Sequence, residues 1–168
     1  MATVISGDTG VSQVQAGSIN QDDLAANVVG KGPIFSAYAS AATALGAAGN
    51  TKVNFQTKEF DPDNGYNTST SRYTPAVAGY YQVISKVRAD ISSNGVLSAS
   101  ILRNGVVVKE GPFIATTSGQ AGAGVSAYVY MNGTTDYLEI SAYSQLAGNT
   151  YAGSPAVTYF QAALVRAA

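Results

Sequence analysis

The chain has 168 residues, a formal net charge of −1 and neither Cys nor His. This length suits one ordinary domain with a short appendage. Without Cys and His, disulfide frameworks, thiolate nucleophiles and the commonest general base and metal ligand are excluded. Charged residues form only 11% of the chain, and the near-balance of 9 Lys plus Arg against 10 Asp plus Glu offers no basic field for nucleic acid. We therefore expect self-association to cover much of the surface.

The first 32 residues differ in composition from the rest, because their apolar residues are sparse and separated by Gly, Ser, Gln and Asp. Ser18 and Gln21 have the spacing of a capping box, which predicts a short helix over residues 21–27 in an otherwise extended arm. A flexible tail is the alternative. The glycines and proline of residues 30–33 set the predicted boundary between an arm, 1–32, and a head domain, 33–168. We predict that the arm docks onto a partner through Val11, Val14, Ile19, Leu24 and Val28.

The start of the chain has no basic region followed by an apolar stretch, and no segment approaches the roughly 18 apolar residues of a membrane span. These observations predict neither a signal peptide nor a membrane-spanning helix.

From Ile34 onward, short runs rich in Val, Ile, Tyr and Phe alternate with turn residues, which predicts about eight to ten strands. We expect loops at 41–50 and 119–124 and a turn at 61–65. The predicted strands cover residues 34–40, 52–57, a region from 73, 81–91, 97–103 with its partner after 105, 125–131, 137–143 and 156–165.

Three patterns within this region are specific. In the long strand the odd-numbered residues from Tyr81 to Ile91 form one face that we expect to be buried. Asn104-Gly105 is the pair that a two-residue type I′ turn requires, so a hairpin is predicted there. In residues 97–101, Leu97, Ala99 and Ile101 alternate with Ser98 and Ser100, as in a strand with two different faces. Residues 125–131 and 137–143 are predicted to form a second hairpin.

Several motifs resemble, in order and spacing, those of complement component 1q-like globular heads, which are related to the tumour necrosis factor jelly roll. Ser71 and Ala162 stand where that family has Gly, and Tyr73 replaces Phe. The resemblance implies an all-β antiparallel jelly-roll sandwich of about ten strands that assembles as a homotrimer without a shared catalytic site. The motifs are Phe35-Ser36-Ala37, Val53-Asn54-Phe55, Tyr66 to Tyr73, Gly79 to Val83, Leu102 to Gly105, Thr135 to Leu138 and Thr158 to Leu164.

The same resemblance places aromatic residues in the core or at the trimer interface. Because Tyr80 alternates with Tyr81, it is the side chain that we expect to contact another subunit. A sugar-stacking role is the alternative for these tyrosines. The aromatic residues concerned are Phe35, Phe55, Tyr66, Tyr73, Tyr80, Tyr81 and Phe160.

The acidic pair Asp61 and Asp63 does not continue as an EF-hand, since Tyr66 and Arg72 occupy the positions of the required Gly and Glu. Neighbouring carboxylates in a turn also lack the burial that a glycosidase acid needs. We expect no enzyme activity, no metal and no cofactor.

Residues 10–33 resemble segments that precede such heads in the fibre and appendage proteins of tailed phages. The first hypothesis is therefore a virion protein, assembled in the bacterial cytoplasm, whose trimeric head is attached to a capsid or tail protein. The second is a receptor-binding module, whose loops at 41–50, 92–95 and 147–155 bind a host-surface glycan or protein.

Overall fold

The computed structural model describes residues 32–91, 94–116, 119–150, 152 and 154–168. All regular structure in these ranges is strand, and they contain no helix that could cross a membrane. The predicted arm and its five docking residues lie outside the described residues, and the boundary at 32/33 stays a prediction. The strands are β1 Ile34–Tyr38, β2 Ala44–Leu45, β3 Gly49–Lys52, β4 Thr57–Phe60, β5 Tyr66–Asn67, β6 Arg72–Tyr73, β7 Gly79–Ile91, β8 Gly95–Arg103, β9 Val106–Glu110, β10 Ile114–Thr116, β11 Gly119–Met131, β12 Leu138–Ser144, β13 Gly148–Thr150 and β14 Tyr159–Ala167.

These strands form two sheets, and the predicted antiparallel jelly-roll sandwich is confirmed. The first sheet has the order β2-β13-β7-β14-β1-β4. Strands β13 and β14 pair with successive parts of one edge of β7, and β11 pairs along its other edge. The second has the order β10-β8-β12-β6-β5, with β3 also paired to β12 and β9 to β8. The core lies between the two sheets, where each contributes every second side chain of its long strands.

The long strand β7 follows its predicted alternation. Tyr81, Val83, Val87 and Ala89 are fully buried, and Ser85 is nearly so. In β11 the odd-numbered positions from 121 to 131 face the same core, while the even-numbered ones are exposed. The first sheet therefore has one buried face and one exposed face.

The hairpin between β8 and β9 is confirmed by its turn, in which Asn104 and Gly105 have φ values of 55° and 79°. The second predicted hairpin is wrong, because β11 pairs with β7 and β12 pairs with β8. The connection at 132–136 thus crosses from one sheet to the other. Asn132 Oδ1 stabilises this connection by accepting hydrogen bonds from three consecutive backbone N–H groups, each at 3.0 Å.

Three other local predictions need correction. The predicted loop at 41–50 contains β2 and the first residues of β3, and the predicted loop at 119–124 is the first half of β11. Residues 119–124 pair with β7 through backbone hydrogen bonds, which require no side-chain pattern. Val53 and Phe55 are fully buried as expected, but they lie between β3 and β4 and not within a strand.

The serines of β8 are not exposed. Ser98 and Ser100 are fully buried on the outer side of the second sheet. In the central strand β8, Ser98 lies opposite Tyr143 of β12, and Ser100 lies between Ser141 of β12 and Glu110 of β9. Ser98 Oγ donates to Gly111 O at 3.1 Å.

Candidate functional site

Six of the seven predicted aromatic residues lie in the core. The ring of Phe35 stacks on Tyr73 at 4.2 Å and on Tyr66 at 4.9 Å, and meets Phe160 edge-on at 4.8 Å between ring centroids. This cluster is completed by Phe55 and Tyr81. All six side chains are at most 2% exposed, so their role in the subunit is packing and not ligand contact.

The three buried tyrosines differ in how their hydroxyls are satisfied. Tyr66 donates to Phe55 O at 2.8 Å, and Tyr81 donates to Val77 O at 2.8 Å. The Tyr73 hydroxyl has no hydrogen-bond partner among the described residues. Burial raises the pKa of Tyr81 to about 12 and also raises the pKa of Tyr66 and Tyr73. The phenols are therefore neutral at physiological pH.

The seventh aromatic residue, Tyr80, lies on the opposite side of β7 and is 50% exposed. Its ring meets that of Tyr130 edge-on, with 5.4 Å between centroids. We call the exposed side of the first sheet the tyrosine face. The large apolar side chains exposed on it are Ile34, Phe60, Tyr80, Tyr128, Tyr130 and Val165.

Strand register places these residues together. Tyr80, Gln82 and Ile84 of β7 lie opposite Tyr130, Tyr128 and Ser126 of β11, respectively. On the other side of β7, a bulge in β14 between Leu164 and Arg166 leaves Val165 outside the ladder and 56% exposed. The result is an apolar surface that is continuous across β11, β7 and β14.

The bulge also explains the glycine that begins β7. A Cβ on Gly79 would lie 2.3 Å from Arg166 O and 2.8 Å from Leu164 Cδ1. The close approach of the two strands at this point therefore requires a residue without a side chain.

The tyrosine face changes character along its length. Its middle contains a pocket of about 140 Å³ lined by side chains that include Ile34, Phe60 and Ile84. Toward the Ile91 end of β7, Lys86 lies opposite Gly124, and its Cε is 3.5 Å from the position that a Cβ of Gly122 would take. The face thus carries large apolar side chains near Gly79, with exposed Arg166 beside Tyr80, and is more polar near Ile91.

A second group of interacting side chains lies on the outer side of the second sheet. Glu139 accepts hydrogen bonds from Lys52 and from Arg72 Nε, the latter at 2.8 Å, and the guanidinium of Arg72 lies 4.1 Å from the centroid of the Tyr137 ring. Burial alone would raise the pKa of Glu139, but these hydrogen bonds outweigh it and lower the pKa. Both hydrogen bonds go to Oε1 of the carboxylate, and the cluster connects β3, β6 and β12.

The acidic turn before β5 has a structural role. Asp61 accepts hydrogen bonds from the backbone N–H groups of Gly65 and Tyr66, both at 3.0 Å, and pairs with Lys58 at 2.8 Å. Asp63 is exposed. Within the described ranges no three acidic side chains come close enough together to hold a metal ion.

The described residues of the three loops expected to bind a receptor lie at one end of the sandwich. Leu45 of β2 pairs with Gly148 of β13, which in turn pairs with Ile91 at the end of β7. A Cβ on Gly95 would lie 3.2 Å from Leu146 Cδ1, so the start of β8 lies at this end as well. The chain enters β1 at the opposite end.

No family model and no curated protein matches the sequence. Among solved structures, the globular domain of zebrafish complement 1qA matches with a TM-score of 0.61 and 14% identity, covering 82% of this chain and all of that chain. Murine APRIL, crystallised at pH 5.0, matches with a TM-score of 0.63 and 13% identity, covering 80% of this chain and all of that one. The fold is that of a complement 1q-like and tumour necrosis factor-like jelly roll. At these identities the likeness extends to the fold alone.

Proposed function

We propose that the chain forms a non-enzymatic homotrimeric head whose subunits contact one another through the tyrosine face. The single observation that carries this proposal is the exposure of six large apolar side chains on one continuous side of the first sheet. Exposed apolar patches of this kind mark interaction surfaces in globular proteins.

Two features support a second copy of the chain as the occupant of the face. The low content of charged residues, 11%, agrees with a surface largely covered in an assembly. Tyrosine, which supplies three of the six side chains, combines a large apolar area with a hydroxyl that tolerates a partly hydrated edge. The resemblance of the motifs to trimeric heads supports three subunits.

The test places a cation in the middle of the face. Ile84→Arg would bring three like charges together in a trimer, and like charges facing each other cost several kcal/mol at an interface. We expect this variant to be a folded monomer by light scattering and circular dichroism. Phe113→Arg, in the connection between β9 and β10 of the second sheet, where Phe113 is 54% exposed, is the control and should stay a trimer. An Ile84→Arg trimer as stable as the wild type would refute the proposed interface.

For the biological role, we propose a structural protein of a tailed-phage virion, in which residues 1–32 attach the trimeric head to a capsid or tail protein as a fibre or decoration head. The support is the resemblance of residues 10–33 to segments preceding such heads, together with the fold. Mass spectrometry of purified particles should detect the chain, and particles lacking it should lack one projection in electron micrographs. Its absence from particles would contradict this role.

A receptor-binding module is the second candidate, and one observation favours it. The loops that include β2, β13 and the start of β8 meet at the Ile91 end of β7, whereas the chain enters the head at the Gly79 end. A head attached through residues 1–32 would thus present these loops away from its entry point. Purified protein should then bind host cells or a glycan array, and loss of binding after replacing the exposed residues 46–48 by Ser would locate the site. No retention on either would contradict it.

A further inference from the structure

At the turn between β4 and β5, Lys58 of β4 meets Asp61, Asn64 and Gly65 of the turn, and this group belongs to neither the core nor the tyrosine face. Asn64 precedes Gly65 and has a positive φ of 53°. Lys58 Nζ donates to Asn64 Oδ1 at 2.9 Å, and the backbone N–H of Gly65 donates to Asp61 Oδ1 at 3.0 Å. A side-chain carbonyl oxygen therefore faces an ammonium group, while the adjacent backbone nitrogen faces a carboxylate.

We propose that this turn is a self-modifying site, where Lys58 and Asp61 promote cyclisation of Asn64 with Gly65 to a succinimide that water opens to aspartate and isoaspartate. Asn-Gly sequences are the most prone to this reaction, because glycine has no Cβ to hinder approach of its nitrogen to the asparagine side chain. Lys58 and Asp61 occupy the two positions from which the reaction can be assisted.

In the first step the Gly65 nitrogen forms a bond to Asn64 Cγ while its proton moves to Asp61. The negative charge that develops on Asn64 Oδ1 is stabilised by the Lys58 ammonium group, as a donor in an oxyanion hole would do. The Cγ–Nδ2 bond then breaks, and Nδ2 leaves as ammonia with the proton that Asp61 received. Water adds to either imide carbonyl and opens the ring, so water is the only co-reactant.

Burial strengthens the interaction with Asp61, whereas the hydrogen bond from Lys58 to Asn64 is exposed. The side chain of Asp61 is 1% exposed and that of Lys58 is 32% exposed, so the carboxylate acts largely out of water. The carboxylate is also fixed in direction, because its second oxygen accepts the Tyr66 N–H at 3.0 Å. A positioned base of this kind accelerates a proton transfer without any further reorganisation.

Two of the three other Asn-Gly pairs, those at Asn104 and Asn132, provide an internal comparison. Asn132 Oδ1 accepts only backbone N–H groups, and its Nδ2 donates to Thr135 Oγ1 at 2.9 Å. Asn104 Oδ1 accepts the Tyr137 N–H, and its Nδ2 donates to Asp136 at 2.7 Å. In both cases the donors to the side-chain carbonyl oxygen are neutral N–H groups, and no ammonium group of the described residues polarises it. These two sites should react slowly.

The experiment follows all Asn-Gly peptides in one digest of the full-length protein after incubation near neutral pH, with mass spectrometry and chromatographic separation of isoaspartyl peptides. We expect Asn64 to be converted at least about tenfold faster than Asn104 and Asn132. Lys58→Met should slow the conversion of Asn64 by about tenfold and leave the conversion rates of Asn104 and Asn132 unchanged. Lys58→Arg should retain most of the wild-type rate at Asn64. Lys109→Met, at an exposed lysine elsewhere, should change none of them.

Two results would overturn the proposal. One is conversion of Asn64 no faster than that of Asn104. The other is an unchanged or faster conversion in Lys58→Met, which would mean that Lys58 only holds the turn. If Lys58→Met also accelerates the conversion of Asn104 and Asn132, the variant has lost its fold, and the Asp61→Asn variant is then measured in its place. An Asn64 rate in that variant equal to the wild-type rate refutes the role of the carboxylate.

Discussion

Removing the Tyr73 hydroxyl should stabilise the head, whereas removing the Tyr66 hydroxyl should destabilise it. Both phenols are buried against Phe35, and replacement by Phe leaves the stacked rings in place at centroid distances of 4.2 and 4.9 Å. The variants differ in one respect. Tyr66 donates a hydrogen bond to Phe55 O at 2.8 Å, while the Tyr73 hydroxyl has no partner among the described residues.

The size of each effect follows from the fate of the hydroxyl. A buried polar group without a partner costs about 1–3 kcal/mol, so Tyr73→Phe should gain about 1 kcal/mol or more. A satisfied hydrogen bond contributes about 1 kcal/mol net, so Tyr66→Phe should lose that amount, and the loss leaves Phe55 O unpaired as well. Each kcal/mol corresponds to about 3 °C in the unfolding temperature of a domain of this size. The two variants should therefore differ by about 6 °C or more.

Urea denaturation at one fixed protein concentration, with the same m-value for all variants, is the suitable assay, because the stability of an oligomer depends on its concentration. Tyr81→Phe is the control, since Tyr81 donates to Val77 O at 2.8 Å and should behave like Tyr66. A loss of stability in Tyr73→Phe equal to that in Tyr66→Phe would refute the argument.

Three further predictions concern stability. Glu139 has a lowered pKa in the folded state, so its contribution to the free energy of unfolding is present above the ordinary glutamate pKa and is lost as the pH falls through the folded-state pKa. Glu139→Gln should therefore flatten the pH dependence of the unfolding temperature below about pH 4.5. Gly79→Ala should cost about 3 kcal/mol in urea titrations, because a Cβ would lie 2.3 Å from Arg166 O, while Gly46→Ala, whose nearest atom is 3.8 Å away, should change little. Ser71 has a φ of 48°, so Ser71→Gly should be more stable than Ser71→Ala by about 1 kcal/mol in the same titrations.

Much of the fold could be predicted because local chemistry and tertiary structure agree there. The alternation from Tyr81 to Ala89 specifies one buried face, and Asn104-Gly105 supplies the two positive φ values of a hairpin turn. The φ of 48° at Ser71 explains why the family has Gly at this position. The hydroxyl of Ser71 accepts a hydrogen bond from Phe55 N at 2.9 Å.

The errors arise where backbone pairing, and not side-chain pattern, determines the structure. Residues 119–124 carry almost no alternation signal, yet their backbone pairs with residues 86–91 of β7. The connection at 132–136 has the composition of a hairpin turn but joins different sheets, a distinction that only strand pairing reveals. Burial of Ser98 and Ser100 likewise depends on the neighbours of β8 and not on their own polarity.

The tyrosine face could be predicted only in part. Tyr80 follows from its alternation with Tyr81, and Tyr128 and Tyr130 could have been found in the same way, since they alternate with buried Val129 and Met131. The positions of Phe60 and Val165 on the tyrosine face could not be predicted, because they depend on the register of β4 and on the bulge in β14.

The most direct test of the proposed assembly is the native mass of the full-length protein by light scattering, measured beside a truncated chain that begins at Gly32. The proposal predicts a mass near three times 17.1 kDa for the full-length chain and a trimer for both proteins, because the tyrosine face lies within the described head. A monomer in both cases would contradict the tyrosine face as a subunit interface and, with it, the proposed trimeric head.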